Sequence, residues 1–100
     1  TSDRTAWEGR LAASADRAEF ERRMAGDIAP AAEAALAAHI DALIAAPQKI
    51  ATRKASEIAL DAAVAAEPML FGGSADLTGS NNTKAKSAKA FTRDSYDGNY

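Results

Sequence analysis

The sequence predicts a mostly α-helical segment with one short strand and a long C-terminal loop. Three observations carry this reading. Apolar residues recur at three- and four-residue intervals over the first two-thirds of the chain. Gly26, Pro30, Pro47 and Pro68 punctuate those stretches where helices start and stop. After Phe71 the composition turns to Gly, Ser, Thr and Asn, and no period is sustained.

The first helix is predicted over residues 6–15, with Trp7 and Leu11 four apart on one face. Asp16 and Glu19 have the spacing of a capping box and open a second helix. Its stripe is Phe20, Met24 and Ile28, with Glu19, Glu21, Arg22 and Arg23 on the solvated faces, and Gly26 closes it at C′. Pro30 suits the first position of a third helix, where its missing N–H costs nothing. Leu36, Ile40, Leu43 and Ile44 form its apolar stripe, and Pro47 stops it. A domain boundary is placed at Pro47-Gln48-Lys49. A fourth helix runs from about Thr52 to Ala66, ended by Pro68. It carries small residues at Ala55, Ala62 and Ala65 that permit close backbone approach. Met69-Leu70-Phe71 is short and continuously apolar, as in a buried parallel strand. The stretch from Ser74 to Tyr100 is too long for an ordinary connection, so it is a functional loop or a tail whose partners are absent.

Composition sets an energetic constraint on these elements. Hydrophobic residues make up 47% of the chain, but 27 of the 100 residues are alanine, leaving 20 larger apolar side chains. Each of those contributes roughly 1.5–3 kcal/mol when fully buried, against an ordering cost on the order of 1.5 kcal/mol per residue. Such a chain stands near break-even by itself.

Composition also excludes several classes of function. There is no cysteine, hence no disulfide, thiolate–metal or thiol chemistry. A single histidine, His39, excludes a His-rich metal centre, and its setting among alanines suits a structural or surface residue. Twelve Lys and Arg against 14 Asp and Glu give a net charge of −2 and no electrostatic case for nucleic acid. No apolar run approaches a membrane span.

The candidate chemistry gathers around the loop after Phe71. Ligands of open parallel sheets sit beyond the carboxyl ends of the strands. A loop of Gly72-Gly73-Ser74 type can present N–H and O–H donors to an anion there. Arg53, in the first turn of the preceding helix, could grip a phosphate in bidentate fashion. The alternative is a tight turn without a ligand. Asp76 is either an acceptor within a site or the centre of an Asx turn. Lys84, Lys86, Lys89 and Arg93 read as a solvated basic loop or as a phosphate contact.

Two motifs go further. Ala51-Thr52-Arg53-Lys54-Ala55-Ser56-Glu57 and Gly72-Gly73-Ser74-Ala75-Asp76-Leu77-Thr78-Gly79-Ser80-Asn81 occur in the order and at the spacing of transketolases, which the chain closely resembles. Trp7, the Glu19–Gly26 stretch, the alanine-rich helix after Pro30 and the closing Asp97-Gly98-Asn99-Tyr100 extend the resemblance to nearly all of the sequence. Gly79 and Asn82 depart from the Pro and Leu that many members carry.

The resemblance implies an α/β parent of the thiamine-diphosphate-binding fold, with a parallel sheet and flanking helices. It implies a cytoplasmic homodimer that uses thiamine diphosphate and a divalent cation (Mg or Ca). Such an enzyme moves a two-carbon ketol unit from a ketose phosphate to an aldose phosphate. Residues 1–48 would be the helical connection leaving the diphosphate-binding domain, and residues 49–100 the incomplete start of the pyrimidine-binding domain. Arg53 and Ser80 match the family's ligands for the substrate phosphate, and Asp76 matches an aspartate beside the cofactor. No catalytic base and no metal ligand of the family falls within these residues. The family's activating glutamate is expected beyond Tyr100 and its metal motif before Thr1. The 100 residues are therefore expected to be an internal fragment, inactive and without cofactor affinity alone. Dihydroxyacetone synthase or another ketol transferase remains an alternative, as does a self-standing helical interaction module built on the Leu36, Ile40, Leu43, Ile44 stripe.

Overall fold

A computed structural model describes all 100 residues. Five helices follow in order, α1 (Ser2–Ala13), α2 (Arg17–Ala25), α3 (Pro30–Ala45), α4 (Thr52–Ala66) and the single turn α5 (Thr78–Asn81). The mostly helical character expected from the sequence holds.

Helix α1 starts earlier than its apolar spacing indicates. The Thr1 hydroxyl accepts from the Arg4 amide at 3.4 Å and caps the helix, and Arg4 pairs with Glu8 one turn on at 2.7 Å. The capping box at the start of α2 does not form. Asp16 makes no side-chain cap bond, and the reciprocal half is lost too: the Asp16 amide donates to the Ser14 hydroxyl at 3.1 Å, while Glu19 is drawn to Arg22 at 2.8 Å and Arg23 at 2.6 Å. The other end of α2 follows expectation. Gly26 lies in the left-handed region at φ 77°, and its N–H closes on the Arg22 and Arg23 carbonyls. The rings of Trp7 and Phe20 meet edge to face, 6.0 Å apart, joining α1 to α2.

Helices α3 and α4 form a hairpin and supply the main contact between elements. Pro30 stands at the first turn of α3 as expected. The face of α3 that is covered differs from the expected stripe. Ala32 is buried, and Ala35, His39 and Leu43 are half-buried, whereas Leu36, Ile40 and Ile44 point outward. Small residues take the first half of the contact face, where they let two helix backbones close in, and His39 with Leu43 of the expected stripe completes it; α3 is apolar enough all round for either face to serve. No single helix is long and apolar enough to cross a membrane.

The run Met69-Leu70-Phe71 is not a strand. It leaves a turn at Pro68–Met69 and stays irregular; the only β pairing is an isolated bridge between Thr92 and Ser95. A ladder needs a partner strand, and here only one residue offers itself. The Gly72 amide donates to the Asn99 carbonyl at 3.0 Å, and the Asn99 side chain donates to the Leu70 carbonyl at 3.3 Å. Nor is the C-terminal third structureless. Phe91 N–H donates to the Tyr100 carbonyl at 2.8 Å, and Phe71, Phe91 and Tyr96 stack in sequence with centroids 5.7 and 5.4 Å apart.

The whole is extended and thin. It measures 60 × 32 × 17 Å with a radius of gyration of 17.8 Å, against about 13 Å for a compact domain of this length. Only Ala32, Ala85 and Glu67 are buried, and fourteen large apolar side chains are exposed. The shortage of core counted in the sequence is thus realised in the fold.

Candidate functional site

Helix α4 presents the first motif. Its N-cap is Ala51, whose side chain cannot accept a hydrogen bond, and its first turn holds no acidic residue. That end of the helix keeps its free amide donors and its positive dipole. Arg53 sits there, exposed, without an ion pair or side-chain hydrogen bond. Its neighbour Lys54 is engaged by Glu57 at 2.6 Å, so Arg53 is the cation left available.

The second motif begins beyond the far end of α4. Fourteen residues of chain separate Arg53 from Glu67, and at helical rise this is roughly 21 Å. Residues 72–77 are irregular, and α5 then carries Ser80. Leu77 begins α5, and its carbonyl accepts from the amides of Ser80 and Asn81. The turn ends at Asn82, a non-glycine residue in the left-handed region at φ 55°, where asparagine is among the better-tolerated types. The Ser80 hydroxyl and the Asp76 carboxylate are both exposed, and neither makes a hydrogen bond to the protein. The Asx-turn reading of Asp76 is therefore not realised.

No hydrogen bond or ion pair joins Arg53, Asp76 and Ser80 to one another. They occupy separate exposed positions, and none of them lines the largest cleft, about 360 Å³ between Asp16, Glu19, Phe20 and Arg23, or either of two smaller ones. One cleft, about 140 Å³, lies between Leu60 and Val64 of α4 and the segment with Phe71, Thr83, Ala85 and Tyr100. The other, about 210 Å³, is bounded by Arg22, Asp27, Ile28, Glu67 and Met69. No three His, Asp or Glu side chains converge as a metal site, so the donor set of these residues does not fit a divalent cation on its own.

The basic segment after Asn82 is mostly neutralised. Lys86 pairs with Asp61 at 3.0 Å, Lys89 with Asp97 at 3.2 Å and Arg93 with Asp94 at 3.4 Å. Lys84 lies over the Tyr100 ring, 5.6 Å from its centroid. The solvated-loop reading fits these contacts. They hold the loop as well. The Lys86 amide donates to Asp61 at 2.8 Å, and that bond, with the Lys86 ammonium, holds the Asp61 carboxyl below its usual range. The Tyr100 hydroxyl joins Thr78 at 2.8 Å and Thr83 at 2.7 Å, bracketing α5 and Ser80.

Two side chains escaped the sequence reading. Arg22, placed there on a solvated face, is half-buried and reaches Glu67 across 45 residues of chain at 3.0 Å. Glu67 is the only buried charged residue. The available signal was its position, a lone carboxylate in Ala65-Ala66-Glu67-Pro68-Met69, since a charge amid apolar residues is buried only when paired.

Comparison with known proteins adds a separate line of observation. No family model matches the chain, and no solved structure matches it. Among curated proteins it is 46% identical over 101 residues to a transketolase of Rhodobacter capsulatus, covering 99% of this chain and 15% of that protein. A transketolase of Cereibacter sphaeroides is 47% identical over 97% of the chain and 15% of its own length. Transketolase 2 of Xanthobacter flavus is 44% identical over 90% of the chain and 14% of its own. The chain thus spans about 15% of the length of the curated relatives it matches. Near-complete coverage of these 100 residues at such identity means that the chain belongs, as a segment, to the transketolase family.

Proposed function

We propose that this chain is part of an enzyme that transfers a two-carbon ketol unit from a ketose phosphate to an aldose phosphate. The observation that carries the reading is the 46% identity to a transketolase over 99% of the chain. In this reading residues 1–48 belong to the helical connection after a diphosphate-binding domain, and residues 49–100 begin a pyrimidine-binding domain. The working enzyme is a homodimer with thiamine diphosphate and a divalent cation. When bound, thiamine diphosphate supplies the electron sink for cleaving and forming the carbon–carbon bond.

The contribution of this segment is recognition. Arg53 and Ser80 bind the substrate phosphate, and Asp76 lies beside the cofactor. Supporting this, Arg53 is an unpaired guanidinium at an uncapped helix N-terminus, a combination suited to a phosphate dianion. The Ser80 hydroxyl is exposed and uncommitted, so it can donate to a phosphate oxygen. The three residues do not form a closed pocket, and the 100 residues alone neither bind the cofactor nor turn over substrate. The names of the relatives favour transketolase over the dihydroxyacetone synthase alternative.

The test is Arg53→Ala in the full-length protein, assayed on a phosphorylated aldose acceptor and its unphosphorylated counterpart. Loss of a charge-assisted hydrogen bond costs about 1.5–3 kcal/mol. KM for the phosphorylated acceptor rises correspondingly, while the unphosphorylated one is little affected. Equal effects on both acceptors would remove Arg53 from the phosphate site.

A further inference from the structure

The Glu67 carboxylate receives donors from three separate places. Arg22 of α2 donates through Nη1 at 3.0 Å and Nη2 at 3.5 Å. The amide of Ala29, the N-cap of α3, donates at 2.9 Å. The amide of Met69, on the way out of α4, donates at 3.2 Å. Arg22 is itself held in place by Glu19, through Nε at 2.8 Å and Nη2 at 2.9 Å.

This carboxylate has a singular place in the fold. Every hydrogen bond between residues 1–29 and residues 52–100 ends on it. It also stands where α4 stops: Glu67 is the C-cap, its carbonyl accepts from Leu70 at 3.1 Å, and its side chain fixes Met69. Gly72 follows five residues later, so residues 72–83 set out from between this carboxylate and Asn99, which binds Leu70 and Gly72, while Tyr100 holds their far end at Thr83. The nearby amides and guanidinium hold the carboxyl of Glu67 below its ordinary value, so it stays ionised and bound.

We propose that Glu67 and Arg22 form a clasp through which the α2–α3 connection sets the course of the loop carrying Asp76 and Ser80, making Glu67 a positioning residue for that loop. Its consequence for substrate rests on the phosphate reading above; the clasp itself does not. Every hydrogen bond that α2 and the α2–α3 connection send toward this loop ends on Glu67, from Ala29 as well as from Arg22.

The experiment uses the full-length protein with Glu67→Gln, Arg22→Gln and both together. Glu67→Gln keeps the shape and one acceptor but removes the charge. Amide hydrogen exchange is followed over residues 72–83, and KM and kcat are measured on phosphorylated and unphosphorylated acceptors. Each single change is expected to speed exchange in the loop by about tenfold, and the pair to do no more than the worse single, as for residues acting through one contact. KM for the phosphorylated acceptor rises with kcat nearly constant. Should Glu67→Gln fail to fold, Arg22→Lys, which keeps the charge but not the fork, reads the same exchange. Unchanged exchange, or effects that add in the double variant, overturns the clasp. Faster exchange with no preference for the phosphorylated acceptor upholds the clasp and removes the phosphate reading instead.

Discussion

The α3–α4 hairpin and the segment from Pro68 to Tyr100 pack side by side and are held by different forces. The hairpin closes on small side chains, with Ala32 buried and Ala35 half-buried between two backbones. The C-terminal segment has one buried residue, Ala85, and is knitted by polar contacts: Asp61 to Lys86, Asn99 to Leu70 and Gly72, and Tyr100 to Thr78 and Thr83. Dispersion between close-packed alanines needs no ionised group, and the hairpin uses one to join its helices only at its open end, where Glu67 accepts from Ala29. A carboxylate holding amides and ammoniums needs its charge.

Acid should separate the two regions most sharply. Arg22 and then Arg23 hold the carboxyl of Glu19 down from 4.5 to about 2. Glu67 is lowered by the Ala29 amide and then Arg22, and Asp61 by the Lys86 amide and then its ammonium. Groups whose folded values are depressed stabilise the fold fully above their unfolded values and lose that contribution as pH falls through the folded ones. As pH falls below the ordinary carboxylate range, the amide resonances of Ala29, Met69 and Lys86 should shift as their acceptors Glu67 and Asp61 protonate. Helical circular dichroism should change far less over the same range. A collapse of the helical signal in that same step would mean the hairpin leans on these carboxylates after all.

The next effect is steric. A Cβ at Gly98 would run into the backbone of Ala90 and Phe91. Gly98→Ala should therefore destabilise the C-terminal segment by about 1–3 kcal/mol, as overpacking does. The readout is faster amide exchange at Phe91 and Tyr100, with exchange inside α3 unchanged. Equal loosening of α3 would show that the regions unfold as one.

The smallest contrast lies within the hairpin. Ala32→Leu should cost about 1–3 kcal/mol by forcing the backbones apart. Ile44→Ala, at a side chain 71% exposed, should stay within about 0.5 kcal/mol. Denaturant unfolding of the two variants compares them directly, and the reverse order would restore the larger stripe as the contact face.

Much of the hairpin was legible because its signals are local. Pro30 and Gly26 stand where backbone chemistry requires, and α4 spans the residues its punctuation marks. Which face of α3 is covered was not legible, since a helix so rich in alanine has no polar face to exclude. The motif residues Arg53, Asp76 and Ser80 could be named from pattern, but the pattern says nothing of their separate, exposed placement. Glu67 and Arg22 were missed because a contact across 45 residues leaves no trace in spacing. The C-terminal knit was missed for the same reason: Tyr100 bonds to residues 17 and 22 positions earlier.

At 17 Å across, the molecule is less than two helix diameters thick, a helix with its side chains being about 10–12 Å wide. A body so thin uncovers little fresh apolar surface when it unfolds. Its heat-capacity increment should therefore fall below the roughly 1.2–1.5 kcal/mol/K usual for 100 residues. The stability curve is then shallow, with a broad melt and little penalty on cooling. Temperature acts weakly on such a chain, and the surfaces and ions around it act strongly.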